Sequence, residues 1–304
     1  MNALTYLWSR PLLLLPLPPL FWAGNLVLGR ALANDYPPVS LAVGRWVIAI
    51  AVLAPFVSKA VWRQRSLLRQ NWLLILLCGA FGIAGYNALG YVALQTVPAA
   101  SVAFLNSSLP LMVPLAALAL GVERVRKMTT LGILISFVGV AWIVARGVPA
   151  DLAHIGFAVG EPLVLLAVAN YAVYSVLVRR KPGELEALVF LASTIVAGLC
   201  VLLPFWAWEL AAGARIPFDA ASVGAVVYIG VFASLFAFIL WNRCVATLGP
   251  SVTGASFHLV ALFTAILAFL VLGEPVAGFH IIGAVLILCG FFVATRRWPA
   301  PSTS

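Results

Sequence analysis

Long apolar runs, interrupted by short polar segments, recur along the whole chain. Runs of about 20 residues match the length of a helix that crosses the hydrocarbon core of a bilayer. The strict alternation of polar and apolar residues that a transmembrane barrel requires is absent. The pattern predicts ten helices, at residues 11–32, 39–58, 72–94, 100–120, 129–146, 156–178, 186–208, 221–243, 253–273 and 278–295.

The second half of the chain repeats the pattern of the first half, about 150 residues later. Aligning the two halves sets Pro98 over Pro250, Ser101 over Thr253 and Asn106 over His258. Each copy then continues to a pair of glycines at the same spacing, Gly132 and Gly139 in the first and Gly283 and Gly290 in the second. We therefore predict two five-helix repeats, at residues 11–146 and 156–295. Because five is an odd number, the second repeat crosses the membrane in the opposite direction, and the repeats are inverted.

Composition supports a membrane protein. Of the 304 residues, 64% are hydrophobic and only 9% are charged, and the mean hydropathy is +1.11. Soluble domains contain about 25% charged residues. The chain is therefore predicted to be an all-α integral membrane protein, embedded in a lipid bilayer.

The net charge of +9 indicates topology and not nucleic-acid binding, because the basic residues lie in the loops between apolar runs. Assigning the loops alternately to the two sides places 14 of the 18 Lys and Arg residues on one side. These are Arg10, Lys59, Arg63, Arg65, Arg69, Arg124, Arg126, Lys127, Arg179, Arg180, Lys181, Arg243, Arg296 and Arg297. Positively charged loops face the cytoplasm, so both termini are predicted to be cytoplasmic.

No motif of an enzyme, a metal site or a phosphate-binding loop is found in the sequence. The aspartates are confined to predicted outer loops, at Asp35, Asp151 and Asp219. The four cysteines each fall in or at the end of an apolar run and are expected to be small buried hydrophobes. We therefore expect no catalytic residue, no metal and no cofactor.

Three ionisable residues lie inside the apolar runs, where such residues are candidates for function. Arg45 is near the outer end of the second helix, and three roles stay open: a side chain that extends outward to the interface, a structural ion pair, or a substrate contact. Glu161, near the start of the sixth helix, is interpreted as an interfacial cap. His258 either bonds a neighbouring helix or titrates and contacts a substrate.

Aromatic and amide residues occur together in the first and third helix of each repeat. The groups are Trp22 with Asn25, Tyr86 with Asn87, Asn170 with Tyr171 and Tyr174, and Trp241 with Asn242. An Asn side chain in lipid is costly unless it contacts protein or water, so these helices are expected to face inward. Aromatic rings beside amides suit a partly apolar ligand with polar ends. The alternative is helix packing held by Asn hydrogen bonds.

The sequence Leu-Gly-Val-Glu ends the fourth predicted helix, Leu-Gly-Glu-Pro ends the ninth, and a Gly-x6-Gly pair follows each. With ten helices in two inverted copies, this pattern resembles the EamA-type branch of the drug/metabolite transporter superfamily, over residues 11–295. Within that branch it is most similar to the YddG-type exporters of aromatic amino acids. The resemblance implies a carrier in the bacterial inner membrane, with a central cavity lined by the first, third and fourth helices of each repeat. The family often has a proline in the ninth helix matching Pro110, but Leu262 stands there in this chain, which leaves symmetric bending open.

The resemblance implies export of aromatic and other hydrophobic amino acids by alternating access. The candidate substrate-binding residues combine polar or aromatic character with a helix expected to face inward: Trp22, Asn25, Tyr86, Asn106, Tyr171, Tyr174, Trp241 and His258. The expected partners are a small-molecule substrate and the lipid bilayer, and a monomer is compatible with the pattern. The alternatives are a carrier of a drug, a purine or a sugar nucleotide, and a membrane scaffold without transport activity. Proton coupling, sodium coupling and facilitated transport all stay open.

Overall fold

The computed structural model describes residues 8, 10–33, 35–96, 102, 105–122, 126–145, 147, 148, 150, 160–272 and 278–295. Within these ranges all regular structure is helical, and no strand is present. Helices satisfy their own backbone N–H and C=O groups, as an apolar surrounding requires. The predicted all-α fold class is confirmed.

The long helices are numbered α1 to α10 in chain order. Their bounds are α1 Leu17–Leu32, α2 Pro38–Arg63, α3 Trp72–Leu94, α4 Leu109–Ala119, α5 Lys127–Val144, α6 Glu161–Leu177, α7 Ala187–Ala211, α8 Ala220–Leu248, α9 Leu259–Leu272 and α10 Gly278–Thr295. Shorter pieces at Pro11–Leu14, Arg65–Gln70, Pro250–Ala255 and Ser256–His258 connect or precede them.

Within the described ranges, six helices are long and apolar enough to cross a membrane. They are Pro11–Gly29, Pro38–Arg63, Trp72–Leu94, Glu161–Arg180, Ala187–Ala211 and Ala220–Leu248. Shorter apolar helices lie at Leu109–Ala119, Lys127–Ile143 and Ile281–Thr295. The count of ten crossings and the cytoplasmic position of both termini stay predictions. Glu123 and Glu274, at the expected ends of two helices, lie outside the described residues.

Some helix ends differ from the prediction. The helix α2 continues to Arg63, and α8 continues to Leu248, beyond the last residues of the apolar runs. An apolar run marks the part of a helix that lies in hydrocarbon, and charged residues such as Lys59 prolong the helix into the interface. The first predicted helix is interrupted after Leu14, because Pro16 has no N–H to bond the preceding turn.

The outer surface is apolar over wide areas, which fits contact with lipid tails. Phe56 is 81% exposed and Phe205 is 58% exposed, although both lie in long apolar helices. Cys78 and Cys244 are buried, whereas Cys200 and Cys289 are exposed. The prediction that all four cysteines are buried is therefore wrong for two of them, because an apolar run also contains the residues that face outward.

The helices α5 and α10 pack antiparallel through their glycine pairs. Gly132 lies against Gly290, and Gly139 lies against Gly283, so residue numbers rise along one helix as they fall along the other. A Cβ atom at Gly139 would lie 2.8 Å from the Gly283 carbonyl oxygen. Only glycines allow the two backbones to approach this closely. The glycines noted in the sequence thus bring the last helices of the two halves together.

The helices α2 and α7 are antiparallel as well, and side chains join both of their ends. At one end, the Glu209 carboxylate accepts bonds from Val39 N at 2.9 Å and Ser40 N at 2.7 Å. These N–H groups lie in the first turn of α2 and have no partner within the helix. At the other end, Gln64 Oε1 accepts from Glu186 N at 3.0 Å, directly before α7 begins. Each helix therefore caps the start of the other.

The third helix of each half contains one π-helical turn. One covers Gly79–Gly85 in α3, and the other covers Ile229–Phe236 in α8. The first residues of the two π-turns are about 150 positions apart in the chain, which is also the offset between the two copies of the sequence pattern. A π-turn carries an extra residue and leaves carbonyl groups available to side chains, and such turns are frequent at functional sites. The sequence pattern did not predict these turns.

The glycine contact between α5 and α10 can be tested with Gly139→Ala. Its new methyl group would meet the backbone of α10, with Ile287 N at 2.9 Å, and overpacking of this kind costs about 1–3 kcal/mol. We expect a lower melting temperature of the purified protein in detergent. Gly224→Ala in α8 is the matched control, because no atom lies within 4 Å of its Cβ position. Equal melting temperatures of both variants and the wild type would contradict the close contact.

Candidate functional site: a cavity between the two halves of the chain

Two adjoining cavities lie where α1, α2 and α3 meet the start of α9. The first, called the Arg45 cavity, is lined by Trp22, Asn25, Leu26, Arg45, Tyr86, Asn87, Asn106, Phe257 and Val260. The second, called the His258 cavity, is lined by Leu26, Asn106, Ser107, Phe257, His258, Val260, Ala261 and Thr264. They share four lining residues, Leu26, Asn106, Phe257 and Val260, and both are lined by residues from the two halves of the chain.

Both cavities are closed to a metabolite in this conformation. Each has a volume of about 20 Å³, which is room for about one water molecule. Pockets that bind small organic ligands measure about 300–1,000 Å³. A substrate can therefore enter only when helices or side chains around the cavities move apart.

The structure divides the eight predicted site residues into two groups. Those that line a cavity are Trp22, Asn25, Tyr86, Asn106 and His258. Those that line neither cavity are Tyr171, Tyr174 and Trp241, and all three are fully buried. The second group lies on α6 and α8, behind the aromatic wall of the first.

This wall is a cluster of rings around Trp22. The centroid of the Trp22 ring lies 5.1 Å from Trp241, 5.4 Å from Phe257 and 5.7 Å from Tyr171. Tyr86 continues the cluster, 4.6 Å from Tyr171. Tilted and edge-on ring pairs at these distances stabilise one another beyond their buried area. The cluster therefore gives the Arg45 cavity a firm aromatic side.

Hydrogen bonds fix the orientation of two of these rings. Trp22 Nε1 donates to the Ala233 carbonyl at 3.0 Å, within the π-turn of α8. Trp241 Nε1 donates to Ser175 Oγ at 3.2 Å. A buried indole N–H needs such a partner. Trp22 thus belongs to α1 but is held in place by α8.

Arg45 is the charged residue of the site, and it is only 2% exposed. Its Nε donates to Ser234 Oγ at 2.6 Å, and its Nη2 donates to the Ala233 carbonyl at 3.0 Å. Its Nη1 donates to Asn87 Oδ1 at 2.7 Å and to the Tyr91 hydroxyl at 2.8 Å. All four acceptors are neutral. The guanidinium therefore connects α2 with α3 and α8 without an acidic partner among the described residues.

Two of these acceptors, Asn87 and Ser234, are themselves bonded to the π-turns. Asn87 Nδ2 donates to the carbonyls of Gly82 at 3.2 Å and Ile83 at 2.9 Å, both in the π-turn of α3. Ser234 Oγ donates to the Ile229 carbonyl at 2.8 Å, in the π-turn of α8. Local distortion of both helices thus creates the polar surroundings that a buried cation needs.

Within the described part of the chain, the structure supports neither an outward extension nor an ion pair for Arg45. The side chain does not extend outward to the interface, because it is buried among α3 and α8. It makes no ion pair with a described residue, since the ion pair found there joins Arg63 and Glu186. What stays is a buried, hydrogen-bonded cation at the edge of a cavity.

His258 makes the cross-helix bond that the sequence left as one of two alternatives. Its Nε2 lies 3.0 Å from the Ser107 carbonyl, just before α4. Because a carbonyl only accepts, Nε2 carries a proton and donates it to this oxygen. The Nδ1 atom of the ring is buried and has no hydrogen-bond partner among the described residues. His258 therefore uses one ring nitrogen to join its segment to the start of α4, and it lines the His258 cavity.

Glu161 is the first residue of α6, where the helix dipole favours a carboxylate, whereas the predicted helix 156–178 placed it further inside. It is 2% exposed, and its Oε2 has no hydrogen-bond partner among the described residues. It lines neither cavity. In the described part of the chain, no group of three or more His, Cys, Asp or Glu side chains could hold a metal ion.

Several lining residues were not among the predicted site residues. No sequence pattern marks Phe257 and Val260 as lining residues, because each is an apolar residue in an apolar segment. Asn87 and Arg45 carried a signal, since both are polar residues within apolar helices. Tyr91 was not singled out, although it donates to Asn25 Oδ1 at 2.8 Å and accepts from Arg45.

Comparisons with known proteins identify the group to which this fold is similar. The sequence profile of the EamA-like transporter family matches residues 9–145 and 158–296. The uncharacterized transporter YyaM of Bacillus subtilis is 26% identical over 278 residues, which cover 91% of this chain and 90% of the relative. A protein of Streptantibioticus cattleyicolor named "Probable terminal-alkyne amino-acid exporter" is 28% identical, with 91% and 90% covered. A solved crystal structure with 23% identity has a TM-score of 0.75 over 94% of this chain and 96% of its own, and so has a similar fold.

The hydroxyl groups of two neighbouring tyrosines of α6 differ in their hydrogen bonding, and the effect on stability can be measured. The Tyr171 hydroxyl is buried without a hydrogen-bond partner among the described residues, whereas the Tyr174 hydroxyl donates to Asn242 Oδ1 at 2.8 Å. We expect Tyr171→Phe to leave the melting temperature unchanged or to raise it, because an unpaired buried hydroxyl is costly. Tyr174→Phe should lower stability by about 1 kcal/mol, because it leaves Asn242 without its donor. The opposite order of the two melting temperatures would contradict these environments.

Proposed function

The chain belongs to the EamA-like transporter family of the drug/metabolite transporter superfamily, and we propose that it exports small amphipathic metabolites, above all aromatic and other hydrophobic amino acids. The observation that carries this proposal is the Arg45 cavity, whose lining combines the rings of Trp22, Tyr86 and Phe257 with amides and one cation. Such a lining suits a substrate with an apolar ring and a polar, partly charged end.

A relative supports the amino-acid part of the proposal. The Streptantibioticus cattleyicolor protein, 28% identical to this chain, is named "Probable terminal-alkyne amino-acid exporter". The closer similarity to YddG-type exporters of aromatic amino acids is part of the same proposal. It rests on the sequence pattern and on the aromatic wall around Trp22.

We further propose that transport occurs by alternating access between two inverted repeats, at residues 11–146 and 156–295. Three observations support this arrangement. The family profile matches the chain twice, the π-turns of α3 and α8 occupy equivalent positions, and equivalent helices such as α5 and α10 pack antiparallel. The cavities lie between the two halves, where rocking of one half against the other would open them to either side.

The proposed orientation follows from the charge pattern. Both termini and the loops rich in Lys and Arg are placed in the cytoplasm, and the protein is placed in the bacterial inner membrane. In this orientation, export moves the substrate away from the side that holds most of the basic residues. The proton, the sodium ion and the substrate gradient are the candidate driving forces, and the transport assay below separates them.

Other substrate classes fit the lining less well. A sugar nucleotide carries several phosphate charges, but Arg45 is the single Lys or Arg among the described residues that line the two cavities. A cationic drug would favour an acidic partner, and these described residues include no Asp or Glu. The cavity chemistry thus favours a substrate with no more than one net negative charge.

Transport can be tested with purified protein in liposomes preloaded with labelled phenylalanine. We expect faster efflux than from loaded liposomes without protein, and we expect unlabelled tryptophan to compete with it. If transport is coupled, the rate should also respond to an imposed proton or sodium gradient. The variant Tyr86→Ala with Asn106→Ala should lower the rate at least about tenfold, which corresponds to about 1.4 kcal/mol of lost binding.

Phe56→Ala is the control, because Phe56 is 81% exposed on the outer surface of α2 and contacts neither cavity. Wild-type rates in the double variant, with correctly folded protein in both samples, would refute the position of the binding site. No phenylalanine efflux from the wild type would refute the proposed substrate.

A further inference from the structure

We infer that Arg45 binds the carboxylate of the substrate, so that the carrier selects amphipathic monocarboxylates and recognises an α-amino group only weakly. This inference rests on the proposed function for the location of the substrate, but it assigns a different chemical class. It extends the substrates from amino acids to aromatic and aliphatic carboxylic acids that have no amine.

The first argument is the missing counter-charge. A buried cation is costly unless an anion or several dipoles compensate it. Arg45 is 2% exposed, and its partners are a hydroxyl pair, an amide and a carbonyl. These dipoles stabilise the charge in the closed state without neutralising it. An anion that enters the Arg45 cavity would therefore gain an attraction that is not weakened by a competing acidic side chain.

The second argument is the number of donors that are still available. A guanidinium has five N–H groups, and four of those of Arg45 are used within the protein. The fifth is on Nη2, beside the bond to the Ala233 carbonyl. Asn25 adds further donors, because its Oδ1 accepts from Tyr91 while its Nδ2 has no partner among the described residues. Arg45 and Asn25 line the same cavity.

Tyr91 connects these two donors in one arrangement. Its hydroxyl accepts from Arg45 Nη1 at 2.8 Å and donates to Asn25 Oδ1 at 2.8 Å. The bond fixes which end of the Asn25 amide remains available, and that end is a donor. A carboxylate has two acceptor oxygens and can use donors from both residues, whereas a neutral amide offers one acceptor oxygen.

The third argument concerns what the cavities lack. Among the described residues that line them, none is Asp or Glu, so a substrate ammonium group would find no counter-charge there. The substrate carboxylate, by contrast, would form a charge-assisted hydrogen bond with the oppositely charged Arg45. Removing the carboxylate from a substrate should therefore reduce binding much more than removing the amine.

The test compares three inhibitors of labelled phenylalanine efflux by the wild-type protein in liposomes. We expect 3-phenylpropionate, which has no amine, to inhibit within about tenfold of phenylalanine itself. Phenylalaninamide and 2-phenylethylamine, which have no carboxylate, should be weaker than 3-phenylpropionate by more than about tenfold. Equal inhibition by phenylalaninamide and 3-phenylpropionate would overturn the inference and leave the amino-acid proposal intact.

A second measurement distinguishes the carboxylate site from the proposed amino-acid substrate when phenylalanine is not transported. If phenylalanine is not transported, efflux of labelled 3-phenylpropionate is measured directly. Transport of this acid would refute the proposed amino-acid substrate and support the carboxylate site. Transport of neither compound would refute both.

Arg45→Gln tests the residue itself. In folded protein, the preference for 3-phenylpropionate over phenylalaninamide should fall toward one, a change that a purely structural role of Arg45 would not produce. Arg63→Gln is the matched control on the same helix, because its side chain is 70% exposed and far from the lining residues. An unchanged preference in folded Arg45→Gln protein would overturn the inference.

If Arg45→Gln does not fold, Asn25→Leu replaces it. This change keeps the guanidinium and removes the second donor, so the same preference should decrease without being lost. A preference equal to that of the wild type would refute the shared site of Arg45 and Asn25.

Discussion

A guanidinium buried inside an apolar helical protein is the constraint on which this structure depends. Arg45 cannot be left without polar partners in such a place, and no single helix supplies enough of them. Asn87 and Tyr91 come from α3, and Ser234 and the Ala233 carbonyl come from α8. The cation therefore requires α2, α3 and α8 to meet at one level.

The π-turns are the local consequence of this meeting. A regular α-helix bonds its own carbonyl groups and has none to offer, whereas the π-turn of α8 presents the Ala233 carbonyl to both Trp22 and Arg45. The π-turn of α3 accepts bonds from Trp46 and Asn87 at the Ile83 carbonyl. The aromatic wall and the cation of the cavity are thus positioned by the same two irregularities, one in each half of the chain.

The contacts outside the cavity are of a different kind. The helices α2 and α7 cap each other at both ends through Glu209 and Gln64, and α5 and α10 approach through backbone contacts at their glycines. Each pair joins one helix from each half of the chain. The cavity, by contrast, is lined by side chains such as Trp22 and Phe257, which lie on different elements of the two halves. In the proposed transport cycle, these lining elements separate while the two helix pairs keep the halves in contact.

The sequence alone determined the all-α membrane fold, because a run of about 20 apolar residues in lipid forms the hydrogen bonds of its backbone N–H and C=O groups within a helix. It also led to the transporter family, through the motifs that end the fourth and ninth predicted helices, and it named five residues that line a cavity. These properties depend on local spacing and residue type. The number of crossings and the repeat boundaries stay predictions.

Only the tertiary structure decided the role of Arg45 and the separation of the site residues. The acceptors of Arg45 lie 42 to 189 positions away in the chain, and no local pattern records such distances. For the same reason, Tyr171, Tyr174 and Trp241 share their composition with the lining residues but are packed behind Trp22. Polar and aromatic character indicates that a residue faces protein, whereas the packing of distant helices determines whether it reaches the cavity.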